Sequence, residues 1–199
     1  LDVAECVRLL KGEERGRLRD LSVAFAAEGL VALQSKDREQ AGSAVTRVLD
    51  SGEAAESFGR MVEAQGGDRH VVDDPWSVLP RAAVRREVGS EAGYLEKVDA
   101  EALGRAAAAL GAGRIKKGDP IDHAVGIEFF PEVGDKLDGG HPIATIHARN
   151  EDDAVAAEQR VRLAIAIGED PVEAPPLLYG WHGVNGEESP RTWDGGTAG

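Results

Sequence analysis

The sequence predicts an α+β fold in which a helical segment is followed by a β-rich module with one embedded helix and a C-terminal helix. Two observations predict it. Apolar residues recur at helical spacing in four stretches within residues 1–65, where no convincing strand pattern occurs. Between residues 84 and 148, short apolar runs alternate with turns rich in glycine, proline and aspartate, which is typical of short strands.

Each of the four predicted helices has one apolar face and an end signal. They cover residues 1–10, 17–33, a stretch that ends before Gly52, and 53–65. Their predicted core residues are, in chain order, Val3, Val7, Leu10; Leu18, Leu21, Phe25, Leu30; Ala41, Ala44, Val45, Val48, Leu49; and Ala54, Phe58 and Met61 or Val62. Cys6 lies beside Val7, and we expect its thiol to be packed in the core rather than reactive.

The β-rich module follows a polar crossing at residues 66–80, which is the predicted domain boundary. Asp99 is a predicted N-cap for an alanine-rich helix that ends at Gly111, where a positive φ costs little. The predicted core residues of this helix are Ala102, Ala106, Ala109 and Leu110. Strands are predicted at 84–88, 94–98, 125–130 and 142–148, and the last of them places Ala144, Ile146 and Ala148 on a common face.

A last helix is predicted at residues 152–167, because apolar positions recur at helical spacing until a proline-rich stretch begins. Its predicted core residues are Val155, Val161, Leu163 or Ala164, and Ile167. Beyond residue 179 the sequence is rich in glycine and lacks a strand pattern, which predicts a flexible tail rather than a structured extension. The predicted domains are therefore residues 1–78, residues 79–178 and a tail at 179–199.

Composition and charge exclude several classes of protein. The net charge of −13 offers no basic face for nucleic acid. No apolar run approaches the ~18 residues that a transmembrane helix requires, so we expect no membrane partner. A single cysteine cannot form an internal disulfide, and 42% hydrophobic content is normal for a globular protein of one or two domains. A cytoplasmic protein is the simplest prediction.

Seven short blocks, in a fixed order, resemble the pyrimidine nucleoside phosphorylase family, which includes the thymidine phosphorylases. The blocks are GRMV (59–62), QGGD (65–68), LPRA (79–82), LGAGR (110–114), DPID (119–122), VGDKL (133–137) and PIATIHA (142–148). The opening residues LDVAE also resemble a helix start in that family. The likeness covers residues 1–178.

The resemblance implies a fold and an activity. Residues 1–78 would be the last helices of a central, glycosyltransferase-like α/β domain, and residues 79–178 would form the family's C-terminal domain, an α/β-hammerhead of barrel-sandwich type. The implied enzyme is a pentosyltransferase that cleaves pyrimidine nucleosides with phosphate to give the base and a pentose 1-phosphate. Such enzymes are homodimers, and their chemistry requires no cofactor.

The resemblance also implies which residues are not in this chain. In the family, the phosphate-binding loops, the catalytic histidine and the residues that hold the pyrimidine lie upstream of the position of Leu1. We therefore expect the chain to be the C-terminal part of a longer phosphorylase, with no catalytic and no substrate-binding residue of its own. Its expected partner is the upstream part of the same protein, its expected role is scaffold and closure, and we expect it to be inactive alone.

Glu5 is the one metal ligand that the resemblance implies. In bacterial members of the family, a glutamate at this place in the helix helps to bind a monovalent cation, usually potassium. Such a cation needs several oxygen ligands, and the others would lie upstream of Leu1. Judged from the residues alone, Glu5 is a solvated helix residue, and this alternative stays open.

Residues 111–117 form a glycine-rich, cationic loop. Its glycines allow the backbone to approach an anion, and Arg114 can hold a phosphate or carboxylate through two parallel hydrogen bonds. In the family, a loop near this position becomes ordered as the domains close over substrate, so Arg114 is a candidate for closure. The simpler alternative is a helix end followed by a solvated basic turn.

Two further groups have metal-ligand chemistry but unsuitable spacing. The histidines are separated by 18 and 6 residues, which matches no zinc motif, and the aspartates lack the spacing of a calcium loop. We interpret the histidines as core or turn residues and the aspartates as turn and cap residues. The residues concerned are His123, His141 and His147, and Asp119, Asp122, Asp135 and Asp138.

The alternative function is a non-enzymatic carrier domain, because VGDKL, Gly140 and the Pro-Ile that follows also resemble the turn of biotinyl and lipoyl domains. Those domains present a modified lysine on a hairpin, flanked by methionine or by aspartate and alanine. The sequence has no lysine in that setting, which favours the phosphorylase interpretation.

Overall fold

The computed structural model describes residues 1–34, 37–183 and 186–188, and it divides into two compact units. The helical unit comprises Asp2–Val78 and Pro176–Gly199, and the β-rich unit comprises Leu1 and Leu79–Pro175. Helices and antiparallel sheets together confirm the predicted α+β class. Within the described part of the chain, no helix is long and apolar enough to span a membrane.

The four predicted helices are present in the helical unit. They are α1 (Asp2–Leu10), α2 (Arg17–Gln34), α3 (Arg38–Asp50) and α4 (Glu53–Ala64), followed by a 3-10 turn (Arg69–Val71) and the short α5 (Pro75–Val78). Asp37 caps α3, since its carboxylate accepts a hydrogen bond from the Gln40 N–H at 2.8 Å. The 3-10 turn and α5 were not predicted, because residues 66–80 are polar and proline-interrupted.

The buried face of α2 is not the predicted one. Val23, Ala24 and Ala27 are buried, whereas the predicted core residues Leu18 and Phe25 are 45% and 58% exposed. The reason is Arg19, whose Nη2 lies 2.6 Å from Oδ1 of Asp50 at the end of α3. The periodicity places the side of α2 that carries Arg19 in solvent, but this ion pair lets that side pack against α3.

Several other predicted core positions of the helical unit are also corrected. In α1, Ala4, Val7 and Leu9 are buried, whereas Val3 is 39% exposed and Cys6 is exposed rather than packed. In α4 the buried residues are Ala55 and Gly59, and Met61 is 47% exposed. The predicted core residues Val7 of α1 and Ala41 and Leu49 of α3 are buried as predicted. In α4 the buried stripe consists of small residues, which allow a close approach of neighbouring elements.

The β-rich unit contains two three-stranded antiparallel sheets. Its elements are β1 (Val84–Gly89), β2 (Gly93–Val98), α6 (Ala100–Leu110), β3 (Gly126–Phe129), β4 (Lys136–Leu137), β5 (Pro142–Ala148), α7 (Glu151–Leu163) and β6 (Ile165–Gly168). The strand orders are β1-β5-β3 and β4-β2-β6. The four predicted strands are therefore confirmed as elements of one strand-rich unit. Asp99 caps α6 through the Ala102 N–H at 2.9 Å, as predicted.

The core of this unit is built around β5. From Ile143 to Ala148 every residue is buried, and Ala144, Ile146 and Ala148 share the core-facing side as predicted. Leu95, Leu110 and Val161 pack into the same cluster from β2, α6 and α7. Ala109, a predicted core residue of α6, is exposed instead, and the buried residues of that helix are Ala106 and Leu110.

The predicted helix at 152–167 is too long at its C-terminal end. α7 ends at Leu163, which is 86% exposed, and Ile165 and Ile167 belong to β6, where they pair with Val98 and Leu95 of β2. Isoleucine at alternate positions favours a strand, and β2 offers an edge that needs hydrogen bonds. The predicted helix is too long because a short alternating run directly follows the helical pattern.

The predicted flexible tail at 179–199 lies partly outside the described residues, at 184–185 and 189–199. The described part contains β7 (Trp181–Gly183) and β8 (Gly186–Glu188), which pair antiparallel and were not predicted.

Glu158 of α7 joins this helix to the β1-β5-β3 sheet. Its carboxylate accepts hydrogen bonds from Arg86 Nε of β1 at 2.6 Å and from Arg162 Nη2 at 2.9 Å. These bonds hold the pKa of Glu158 below its ordinary value, and the bond from Arg86 has the largest effect. A carboxyl group with a depressed folded-state pKa stabilises the fold above its unfolded pKa, and this contribution is lost as the pH falls toward the folded pKa.

We predict that Glu158→Gln lowers the free energy of unfolding by roughly 1 kcal/mol at pH 7. The difference from wild type should shrink as the pH falls below about 4.3, where the unfolded carboxyl takes up its proton. Urea denaturation of both proteins between pH 7 and pH 3 measures it. Glu169→Gln, at an exposed carboxylate, is the matched control and should be neutral. A Glu158→Gln penalty that stays constant down to pH 3 would contradict the assignment.

Candidate functional site

Glu5 lies in the first turn of α1, on a helix that buries Ala4, Val7 and Leu9. Its side chain is exposed and forms no hydrogen bond or ion pair with any residue that the structure describes. No group of three or more histidine, cysteine, aspartate or glutamate side chains able to hold a metal occurs among residues 1–34, 37–183 and 186–188. A potassium ion at Glu5 would need its other oxygen ligands from elsewhere, and the role of Glu5 stays a prediction.

The loop at residues 112–121, called the basic loop below, is closed at its base. Gly111 ends α6 in the left-handed conformation, with φ of 109°. The Asp122 N–H then donates to the Gly111 carbonyl at 2.9 Å, which brings the two ends of the loop together. A compact surface loop whose ends meet is an Ω-loop, a class that is frequently functional.

Asp122 and Arg149 hold the base of the basic loop. Oδ2 of Asp122 accepts a hydrogen bond from Arg149 Nε at 2.7 Å, and Oδ1 accepts one from the Ala124 N–H at 3.0 Å. Both bonds hold the pKa of Asp122 below its usual range, and the bond from Ala124 has the larger effect. Arg149 also covers Gly111, where a Cβ would collide with the guanidinium group. We call the Asp122–Arg149 ion pair the latch.

The tip of the basic loop projects three cations into solvent. Arg114, Lys116 and Lys117 are exposed, and their side chains form no ion pair within the described part of the chain. Ile115 between them is 72% exposed. Inside the tip, the Lys116 N–H donates to Asp119 Oδ2 at 2.7 Å. The tip can therefore meet an anionic surface, although cations after a helix C-terminus also stabilise the helix dipole of α6.

A second polar pair, between Glu128 and His147, was not predicted. His147 is 9% exposed, and its Nε2 lies 2.8 Å from Glu128 Oε2. The register pairs Glu128 with Thr145 and Gly126 with His147, so the two side chains are diagonal neighbours on the face of the sheet away from the core. The sequence does show polar residues at alternate positions of the two strands. This pattern identifies the pair only when the register of the strands is known.

The structure agrees with the interpretation of the remaining histidines and aspartates as core, turn and cap residues. His147 is buried, although on the side of β5 opposite the core cluster, and His141 lies in a turn with its Nδ1 3.1 Å from the Asp138 carbonyl. Asp135 Oδ2 accepts a hydrogen bond from the Glu132 N–H at 2.8 Å. Asp119 and Asp122 act in the same way within the basic loop.

Comparison with known proteins identifies the β-rich unit. Residues 94–168 match the model of the pyrimidine nucleoside phosphorylase C-terminal domain. This region of the chain belongs to that family of phosphorylase domains. The match takes in α6, the basic loop, the latch and the Glu128–His147 pair, so all of them are features of the phosphorylase domain.

A curated relative extends the likeness beyond the phosphorylase domain. Thymidine phosphorylase from Burkholderia orbicola (strain MC0-3) is 41% identical over 182 residues, which cover 90% of this chain and 41% of the relative. The chain thus spans about two fifths of the length of that relative.

The close contact between Gly111 and Arg149 leads to a prediction about two glycines of α6. Gly111→Ala places a Cβ at positive φ and against a guanidinium group, and we expect it to destabilise the chain by about 1–2 kcal/mol. Gly104→Ala adds a Cβ to the same helix where no atom lies within 4 Å, and we expect a gain of about 0.5–1 kcal/mol. Thermal denaturation of both variants checks the pair, and equal effects would show that Gly111 is not constrained.

Proposed function

We propose that this chain is the scaffold and closure portion of a pyrimidine nucleoside phosphorylase. Such an enzyme is a pentosyltransferase that cleaves a pyrimidine nucleoside with inorganic phosphate, giving the free base and a pentose 1-phosphate. The observation that carries the proposal is 41% identity to a thymidine phosphorylase over 90% of the chain, together with the match to the phosphorylase domain.

In the proposed reaction, phosphate attacks the anomeric carbon of the nucleoside while the bond to the base breaks and negative charge passes to the base. The groups that stabilise this charge would come from the part of the enzyme that the chain does not span. The contribution of this chain is to bring the β-rich unit over the bound substrates, because closure excludes water and fixes the reacting atoms near each other. The chemistry requires no cofactor.

Arg114 is the residue that we propose to act in closure. It is exposed at the tip of a loop whose base is closed by the Asp122–Gly111 hydrogen bond, and a cation at that position can meet a phosphate or carboxylate as the domains approach. Glu5 would have a separate role in bracing the central domain, as one oxygen ligand of a potassium ion whose other ligands lie upstream.

The proposed partner of the helical unit is the upstream part of the same full-length protein. The outer side of α2 carries Leu18, Phe25 and Leu33, which are 45%, 58% and 83% exposed, while its inner side buries Val23 and Ala27. A helix that is apolar on both sides is normally buried on both sides. Full burial of one large apolar side chain contributes about 1.5–3 kcal/mol, so the outer side has a strong tendency to dock.

We further propose that the full-length enzyme is a cytoplasmic homodimer with no nucleic-acid or membrane partner. The net charge of −13 supports the exclusion of nucleic acid. The carrier-domain alternative finds no support in the turn that joins β4 to β5, since residues 138–141 at this turn are Asp-Gly-Gly-His and include no lysine.

A chimera tests the proposed function. The 199-residue chain replaces the matching segment of the Burkholderia orbicola thymidine phosphorylase, and thymidine phosphorolysis is measured for the chimera, the native relative and the isolated chain. We expect turnover by the chimera and none by the isolated chain, because the reactive groups come from the rest of the enzyme. Turnover by the isolated chain would refute the scaffold role. If the chimera folds but is inactive while the native relative is active, the proposal that this chain is part of such an enzyme is refuted.

A further inference from the structure

We propose that Asp122 and Arg149 are positioning residues, and that their ion pair holds the basic loop in the arrangement from which closure begins. The inference rests on the proposed function, since it assigns the part of the chain that orients Arg114.

The latch lies at the point where both ends of the basic loop meet. The N–H of Asp122 binds the carbonyl of Gly111 at 2.9 Å, so the residue that carries the latch carboxylate also closes the loop backbone. The neighbouring Ala112 packs against the hydrophobic core, and Val125 beyond the loop is buried. The side-chain ion pair of the latch therefore acts at the same point at which the backbone closes the loop.

Arg149 connects this point to the most completely buried strand of the unit. It directly follows Ala148, the last residue of β5, which is fully buried and pairs with Val84. The latch thus ties the loop to the central strand and not to another surface segment. The stretch between Arg114 and the latch includes Gly118 at φ of 98°.

The strength of the latch suits a loop that changes its arrangement. The side chain of Arg149 is 52% exposed and that of Asp122 is 30% exposed, so solvent screens their attraction. The other oxygen of Asp122 accepts the Ala124 N–H, which keeps the carboxylate oriented when Arg149 moves. The latch therefore orients the loop without fixing it permanently.

Limited trypsinolysis of the 199-residue chain tests the latch without reference to activity, because Arg114, Lys116 and Lys117 are themselves cleavage sites. We expect Asp122→Asn and Arg149→Gln each to raise the initial cleavage rate at these three positions about fivefold, and the double variant to raise it no further. Glu101→Gln breaks the exposed Glu101–Arg105 pair of α6 and serves as the matched control, with an unchanged rate. Unchanged cleavage in the latch variants, or additive effects in the double variant, would overturn the latch.

Kinetics in the chimera test whether the latch positions the loop for the reaction. We expect the KM for phosphate to rise about fivefold in both variants while kcat stays within twofold, since a less ordered loop lowers the population that is ready to close. Arg114→Ala should shift KM in the same direction. A fall in kcat at constant KM would indicate loss of active protein and overturn the positioning role. An inactive wild-type chimera would instead overturn the proposed function, and the trypsin experiment would still decide the latch.

Discussion

The β-rich unit depends on one strand that is enclosed from every direction. β5 has paired neighbours on both edges, and the side chains on both of its faces are buried. Such a strand exchanges nearly all of its contact with water for contact with protein, and burial of apolar surface is the main force that stabilises a fold. Ala144 and Ala148 are small enough to let the helices approach its core-facing side.

The features of functional interest lie along or directly after this strand. His147 of β5 holds Glu128, Arg149 follows the strand and holds Asp122, and Asn150 then caps α7. The basic loop is therefore fixed at a point that cannot shift without disturbing the core. An exposed, cationic tip on a base that is fixed to the core can adapt to a partner while its position relative to the fold is kept.

The helical unit is organised differently. Its main cluster of buried large apolar residues consists of Leu9, Val23 and Leu49, and α2 presents apolar side chains on the side away from that cluster as well. A small core beside a large exposed apolar side indicates a unit whose stability depends on further contacts. This property agrees with a chain that spans two fifths of the length of its relative.

The sequence predicts structural features that depend on residues close together in the chain. It does not predict features that depend on contacts between residues far apart in the chain. Four of the six strands of the β-rich unit, the Asp99 cap and the end of α6 at Gly111 follow from local patterns. The inner side of α2 depends on an ion pair between residues 19 and 50, and β6 depends on an edge of β2. The basic loop could be located from its glycines, whereas the latch joins residues 122 and 149 and requires the tertiary fold.

Hydrogen–deuterium exchange on the isolated 199-residue chain tests this account most directly. If β5 organises a self-sufficient unit while α2 lacks part of its packing, the amides of residues 143–148 should exchange only through global unfolding, and those of α2 at least about tenfold faster. In the active chimera, α2 should gain protection while β5 stays unchanged. Exchange of α2 as slow as that of β5 in the isolated chain would contradict the account.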